Sequence, residues 1–480
     1  MKFRNESNYT RKTAKTIICC GCFLLLFLTS MAPVLAASQV PVYPWQDLES
    51  VVNSYPAGTT FLIKAGIHRM QSAIPKNYDV FVGESGAIMD GAEKLTSISQ
   101  SGSYWVAHVN VAYTAPRAGA CDASHPACDN PQDLFFDSIP KTRVGSLSQV
   151  GPGKWFLEYK TGDVYMGDNP SGHNVEISLT PYAFTGPATG VRISQLQIEK
   201  YATPGDDGAV GGPAGSMHGS AWTLQWNDIH LNHGMGVRVG NNMWVYHNLL
   251  HDNGQLGLGG SGRNVVIQNN QVYSNNYAGY SIAWEAGGAK FASCYNLKVQ
   301  YNNFHDNQGP GLWTDINTDD VLIEANSTAR NNTAGIFIEV SYNETVRNNF
   351  ISHDGFSSQG SSIWWGAGIL VNSSSGIQIY GNVIKYCMNA IGGVQRNRGT
   401  GPYGPHLIQN LSVHDNTIIQ VNGTAEGIVK ASNFDDSIYT SWNNSLQNDT
   451  FSFSYPTQNY FFWLDAYHSL AWWDTYYMDH

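Results

Sequence analysis

Between residues 191 and 433 one short pattern keeps returning: apolar, any, apolar, any, any, asparagine. It sets Asn at 227, 248, 270, 302, 326, 349, 382 and 416, at intervals of 21, 22, 32, 24, 23, 33 and 34 residues. Four intervals are bare, and three carry roughly ten extra residues. Apolar alternation over so short a run predicts a strand, and the Asn and Gly between runs predict turns. A repeat of 21 to 24 residues built this way predicts a parallel β-helix. In that architecture each coil buries its apolar side chains against the next, and inward Asn satisfies turn backbone groups as a ladder. Leucine-rich repeats have a similar length, but Leu is scarce at the repeated positions, and propeller repeats are about twice as long. Parallel crossovers are overwhelmingly right-handed, so a right-handed solenoid is expected. Glu344 is the one clear departure, at a position the template reserves for an apolar residue.

The repeat also aligns candidate chemistry. Gly311 to Asp315 (GLWTD) and Gly335 to Glu339 (GIFIE) superimpose without a gap. Strand alternation turns Leu312, Thr314, Ile336 and Ile338 one way and Trp313, Asp315, Phe337 and Glu339 the other. On stacked strands the two carboxylates then lie about 4.8 Å apart, beside two aromatic rings.

The long coils add loops, which is where sites are built on a rigid scaffold. After a strand expected at Gly279, AWEAGGAKFASCYN brings Trp284, Glu285 and Lys290. VQRNRGTGPYGPH brings Arg396, Arg398, Tyr403 and His406 at the same turn, and the coil between them inserts Trp364 and Trp365 before Gly368. The first and third insertions are expected as two walls at one edge, over a floor bearing Asp315, Glu339 and Asn372, in a groove for a few sugar units.

Asp315 with Glu339 suits a retaining glycosidase, and Glu285 with Glu339, two rungs apart, suits an inverting one. Trp284, Trp313, Phe337, Asn372, Arg396 and Arg398 are the candidate substrate contacts. Lys290, with Arg396 or Arg398, supplies the alternative of a lyase base beside a neutralised uronate. A stacked acidic pair also suits calcium, or plain solvation. No cofactor is required on this reading, with calcium the one metal in view. His233, His251, His305, His353 and His414 fall in turn contexts and are read as structural.

Outside the repeats, Leu48, Val51, Val52 and Tyr55 follow helical spacing, which predicts a cap ahead of first coils at 59 to 69 and 80 to 92. Residues 103 to 185 change rhythm to hairpins with GPGK, TGD and DNPSG turns, an expected antiparallel insertion. Past 434 the chain turns aromatic, and SLAWWDTYYMDH is expected to close the last coil as a helix. The domains expected are thus 1–36, 37–102, 103–185, 186–433 and 434–480.

Residues 1–36 read as a secretory signal, with Lys2, Arg4, Arg11, Lys12 and Lys15 ahead of an apolar run and Val34-Leu35-Ala36 at the cleavage site. An exported protein without stable membrane insertion is expected. Removing that segment takes the formal charge from −11 to about −15, which disfavours nucleic acid. Cys121 and Cys128 bracket a short loop and are expected to be disulfide-bonded, with Cys294 and Cys387 buried thiols. A monomer acting on a polysaccharide is the expected assembly.

NVVIQNNQVYSNN, LKVQYNNFHDN and IQIYGNVIKYCMNAIGG resemble the right-handed parallel β-helix repeats of the pectin-lyase-like superfamily. The resemblance covers about 191 to 433, with 59 to 92 as first coils. It implies an all-β solenoid and a secreted protein acting on polysaccharide. Members include glycoside hydrolases, polysaccharide lyases, uronate epimerases and non-catalytic surface proteins. A glycoside hydrolase is the leading expectation, a lyase or epimerase the second, and a glycan-binding surface protein the third.

Overall fold

The computed structural model describes residues 39–112, 119–213, 219–356 and 364–479. The signal expected over 1–36 lies outside them. Among the described residues, each coil from Arg192 onward contributes one strand to each of three sheets, the two earlier coils contribute to the first two sheets alone, and the sheets hold thirteen, twelve and eleven strands. Pairing between successive coils is parallel throughout, and only the last strand of the third sheet, Ala466–His468, runs antiparallel to its neighbour. The sheets wrap one core, in which inward Ile, Val, Leu and Phe stack coil on coil. Burying each such side chain contributes about 1.5–3 kcal/mol relative to exposure, so every coil depends on its neighbours for stability.

The asparagine ladder forms as the repeat predicts. Asn302 donates from Nδ2 to the Ile267 and Gln300 carbonyls and to Asn326 Oδ1, while its own Oδ1 accepts from Asn270. A second ladder, five residues later in each coil, runs through Asn232, Asn253, Asn275, Asn307 and Asn331 to Asp354. The residue before each Asn of the first ladder turns the chain in the left-handed region, as at Asn269 and Asn348 (φ 57° and 56°).

Both ends are capped. Helix α1 (Leu48–Asn53) begins at Asp47, whose side chain accepts from the Ser50 N–H, and buries Leu48 and Val52. At the other end, α2 (Leu470–Asp479) lays Trp473 on Phe461. Among the described residues no helix is long and apolar enough to cross a membrane.

The insertion is an eight-stranded sheet with its own core around Trp155, Leu157, Val164 and Ile177. Two details differ from expectation. It begins at Ala92, not 103, and one pairing, Thr142–Arg143 against Lys154–Trp155, is parallel. Buried Glu176, bridged to Lys200 at 2.8 Å and to Arg69 at 2.5 Å, fastens this sheet to the solenoid.

Glu344, the break in the apolar template, lies fully buried inside the solenoid and accepts from the Thr314 hydroxyl at 2.9 Å. Burial pushes its carboxyl up to about 8, against the pull of that hydrogen bond. A carboxyl raised on folding stabilises fully below its unfolded pKa, and that contribution is lost as pH rises through the folded value. Glu344→Gln keeps the shape without a proton to lose. Its stability relative to the parent is therefore expected to rise from about pH 5 to about pH 9, by more than about 1 kcal/mol. Thermal unfolding of both proteins at the two pH values checks this, and an unchanged difference would contradict it.

Candidate functional site on the third sheet

Six strands of the third sheet frame the site: β1 (Met235–Val239), β2 (Leu256–Gly260), β3 (Gly287–Ala292), β4 (Leu312–Asp315), β5 (Ala334–Glu339) and β6 (Ala367–Asn372). Trp313 pairs with Phe337 and Thr314 with Ile338, so Asp315 and Glu339 follow in the same register, one rung apart. Glu339 pairs in turn with Asn372. One column over, Arg238, Gly259, Lys290, Trp313 and Phe337 are in line.

Charges alternate along this face. Lys290 Nζ lies 2.8 Å from Asp315 Oδ2 and 3.0 Å from Glu285 Oε1, donates to the Trp284 carbonyl, and sits 3.6 Å from the centre of the Trp313 ring. Asp315 also accepts from the Ile316 N–H at 2.8 Å. Arg398 reaches in from its loop to pair with Glu339, which accepts from Asn372 at 3.0 Å as well.

Burial alone would lower the Lys290 pKa, but the Glu285 and Asp315 carboxylates outweigh it and the net shift is upward. Lys290 is thus held as an ammonium. One ammonium does not neutralise every carboxylate around it. Burial drives Glu285 up to about 7, with Asp206 and Asp315 adding to the rise and Lys290 opposing it. Burial and the Asp315 charge likewise raise Glu339, against Arg398.

A cavity of about 250 Å³ opens beside Lys290, lined by Asp206, Met235, Arg238, Gly260, Glu285 and Lys290. Gly259 stands in register between Arg238 and Lys290, and a Cβ there would come within 2.5 Å of the Lys290 carbonyl and 3.2 Å of Met235 Sδ. Gln255 braces the wall by donating to Asp206 Oδ1 at 2.8 Å and to the Glu285 carbonyl at 3.0 Å. The volume falls below the range of about 300–1,000 Å³ that holds drug-sized ligands, and it matches one sugar ring better than several.

Several expectations need correction. The coil from 270 to 302 has no strand at Gly279; its extra residues come before β3, and Lys290 is part of the strand. Its loop therefore rises at the edge where the strands begin. The loop bearing Arg396 and Arg398 follows the strand Ile391–Gln395 and rises at the opposite edge. The two walls thus face each other across the sheet. Glu285 is not two rungs from Glu339 on the outward column but in the loop before β3.

The aromatic floor is also covered. Trp313 and Phe337 stack at 5.0 Å and are 3% and 4% exposed, packed with buried Trp364 and with Trp365. They do not offer open faces to a sugar. Asn372 is fully buried, Arg396 lies over Trp365, and Trp284 packs beside Tyr280. His233 is buried between Asp133, Tyr280 and the Cys128 carbonyl, as expected of a structural histidine.

Asp206, Arg238, Gln255 and Gly259 were not anticipated. Aligning MGVRVG and LGLGG with GGAKFA would have set Arg238, Gly259 and Lys290 in one column. Asp206 lies in a loop outside the repeat and carries no such signal.

The Glu285 loop is held from outside the solenoid. Cys121 and Cys128 form the expected disulfide, and Cys294 and Cys387 are buried and free. Cys121 bridges to Tyr280, Asp122 N–H donates to the Gly279 carbonyl, and Ser281 N–H to that of Ala120. Cys121→Ser with Cys128→Ser is expected to loosen the loop that carries Glu285, with little change in the solenoid's unfolding temperature. Hydrogen exchange of that loop beside calorimetry checks this, and undiminished protection would contradict it.

A model of the right-handed β-helix region matches residues 215–384. No curated protein sequence matches the chain. Among solved structures, the complex of XylC with xylose superposes with a TM-score of 0.57 at 14% identity, covering 86% of this chain and 83% of that one. The A-module of the Azotobacter vinelandii mannuronan C-5 epimerase AlgE4 gives 0.47 at 12% identity, over 84% and 89%. A glycoside hydrolase gives 0.43 at 10% identity, over 87% and 96%. At 14% identity the likeness to the first is one of fold alone.

Proposed function

We propose that this chain, a right-handed parallel β-helix repeat protein with the pectin-lyase-like fold, is an exported glycoside hydrolase that removes a terminal sugar with retention of configuration. The observation that carries the reading is the register: Asp315 and Glu339 stand one rung apart on the same side of β4 and β5, 5% and 7% exposed, and a strand spacing of about 4.8 Å is near the carboxyl separation of about 5–5.5 Å that retaining enzymes use. Asp315, held by the Lys290 ammonium and the Ile316 N–H, is the nucleophile. Glu339, with its raised pKa, is the acid.

In the first step an Asp315 oxygen bonds to the anomeric carbon. The bond to the leaving oxygen breaks, and that oxygen takes the Glu339 proton. In the second step water attacks the same carbon, gives its proton to the Glu339 carboxylate, and releases Asp315. Asp315 and Glu339 do not themselves line the cavity beside Arg238 and Lys290, which adjoins the pair through Lys290, 2.8 Å from Asp315 Oδ2; on this reading the cavity receives the sugar next to the bond that is cut, with Asp206 and Glu285 accepting from its hydroxyls. Export is supported by the basic-then-apolar leader in the sequence and by the disulfide.

A lyase or epimerase using Lys290 as base has less support, because two carboxylates hold that amine protonated. The test is a panel of chromogenic monoglycosides, with xylosides first because XylC holds xylose, beside soluble polysaccharides. New reducing ends without the ultraviolet absorbance of an unsaturated uronate are expected. An unsaturated product, or no turnover across the panel, would overturn the reading.

A further inference from the structure

Away from the third sheet, the turn between the first and second sheets carries a cavity of about 620 Å³ that the proposed reaction does not use. It crosses five successive coils, from Gly83–Ala87 through Gln195, Trp226 and His247 to Asn269. At about 4.8 Å per rung that is a groove about 19 Å long.

Its centre is an aromatic platform. Trp226 is 56% exposed and stacks on His247 with ring centres 4.2 Å apart and planes within 2°. The turn does not call for a tryptophan. Trp226 occupies the left-handed position (φ 58°) that His247, Asn269, Tyr301, Ala325, Asn348, Gly381 and Asp415 fill in other coils, so this backbone accepts many residues and selects no tryptophan. An indole left more than half exposed and laid flat on an imidazole, at the centre of a groove, points to a use outside the fold.

The flanks are amides. Gln195, Gln197, Asn269 and Gln271 line the groove, with Asp228 the one acid, and no Lys or Arg is among the described lining residues. A polyanion would find no Lys or Arg among these residues. A neutral sugar chain finds a flat apolar face for its C–H groups and carboxamides that both donate to and accept from hydroxyls. At the end of the groove Gly86 has open space around it.

We infer that this groove is a second carbohydrate site, which holds a neutral, linear glycan several sugars long on Trp226 and His247. The inference rests on the carbohydrate reading above but not on its catalytic residues. The site would tether a polymer while the pocket on the third sheet acts on chain ends.

The test is native electrophoresis of the full chain through gels containing arabinoxylan, mixed-linkage β-glucan, galactomannan or polygalacturonate. Trp226→Asn and His247→Asn keep a residue suited to the turn. At least one neutral polymer is expected to retard the parent, and Trp226→Asn to weaken that binding about tenfold, with hydrolysis of a chromogenic monoglycoside unchanged. The inference is overturned if no neutral polymer retards the parent, if both variants are retarded as strongly as the parent, or if polygalacturonate is retained equally well. Retardation that depends on Trp226 in a protein with no hydrolytic activity would sustain this site while removing the catalytic reading.

Discussion

Asp315→Asn is expected to lower kcat on a chromogenic glycoside by about 10³-fold or more, while leaving the fold intact. Asparagine keeps the shape and the contact with the Ile316 N–H but cannot form the glycosyl ester. The change also leaves Lys290 with Glu285 as its one carboxylate partner, so the protein should unfold at a somewhat lower temperature. In Asp315→Gly, where the side chain is gone, azide should enter in place of the missing carboxylate, restore part of the rate and yield a glycosyl azide. A loss of less than tenfold in steady-state kinetics would remove Asp315 as nucleophile.

Glu339→Gln is expected to cost about 10²–10⁴-fold, the usual range for a positioned acid. The loss should depend on the leaving group: large for an alkyl glycoside, small for a nitrophenyl one that departs without protonation. The pH profile gives a second readout. Because burial and Asp315 raise the Glu339 pKa, the acid form persists above the ordinary carboxylate range, and the parent's activity should fall as pH rises through that raised value. On nitrophenyl substrates the Gln variant should lose this alkaline limb from its first step. A limb that survives would belong to Glu285, whose carboxyl is pushed up to about 7, and Glu285→Gln would then remove it.

The fold was legible because one physical demand repeats. Every coil must bury two alternating apolar side chains and satisfy the same turn backbone, so Val321, Ile323 and Asn326 recur in kind at Leu297, Val299 and Asn302. The same period fixed Asp315 over Glu339, since a strand register that slips by one residue would turn its core face to solvent. The second ladder was equally readable from the five-residue step between Asn227 and Asn232, Asn248 and Asn253, and their successors.

The walls of the site were less legible, because nothing in them repeats. Gly279 and Gly288 both precede apolar residues, and only the register of Ala289 on Leu312 decides that β3 runs through Gly288. The cover on Trp313 and Phe337 comes from Trp364 and Trp365, whose loop has no counterpart in the bare coils. Asp206 and Gln255 meet Glu285 only through the stacking of coils. Insertions of this kind distinguish one β-helix from another, and here they turn an open sheet face into a pocket.

The stereochemistry of the first product tests the central claim most directly. Proton NMR during the opening minutes of hydrolysis, before the free sugar mutarotates, reports which anomer leaves the site. Carboxyls on adjacent rungs leave no room for a water between nucleophile and sugar, so the account predicts the same anomer as the substrate. Release of the opposite anomer would require a pair about 6.5–9.5 Å apart and would contradict the roles given to Asp315 and Glu339.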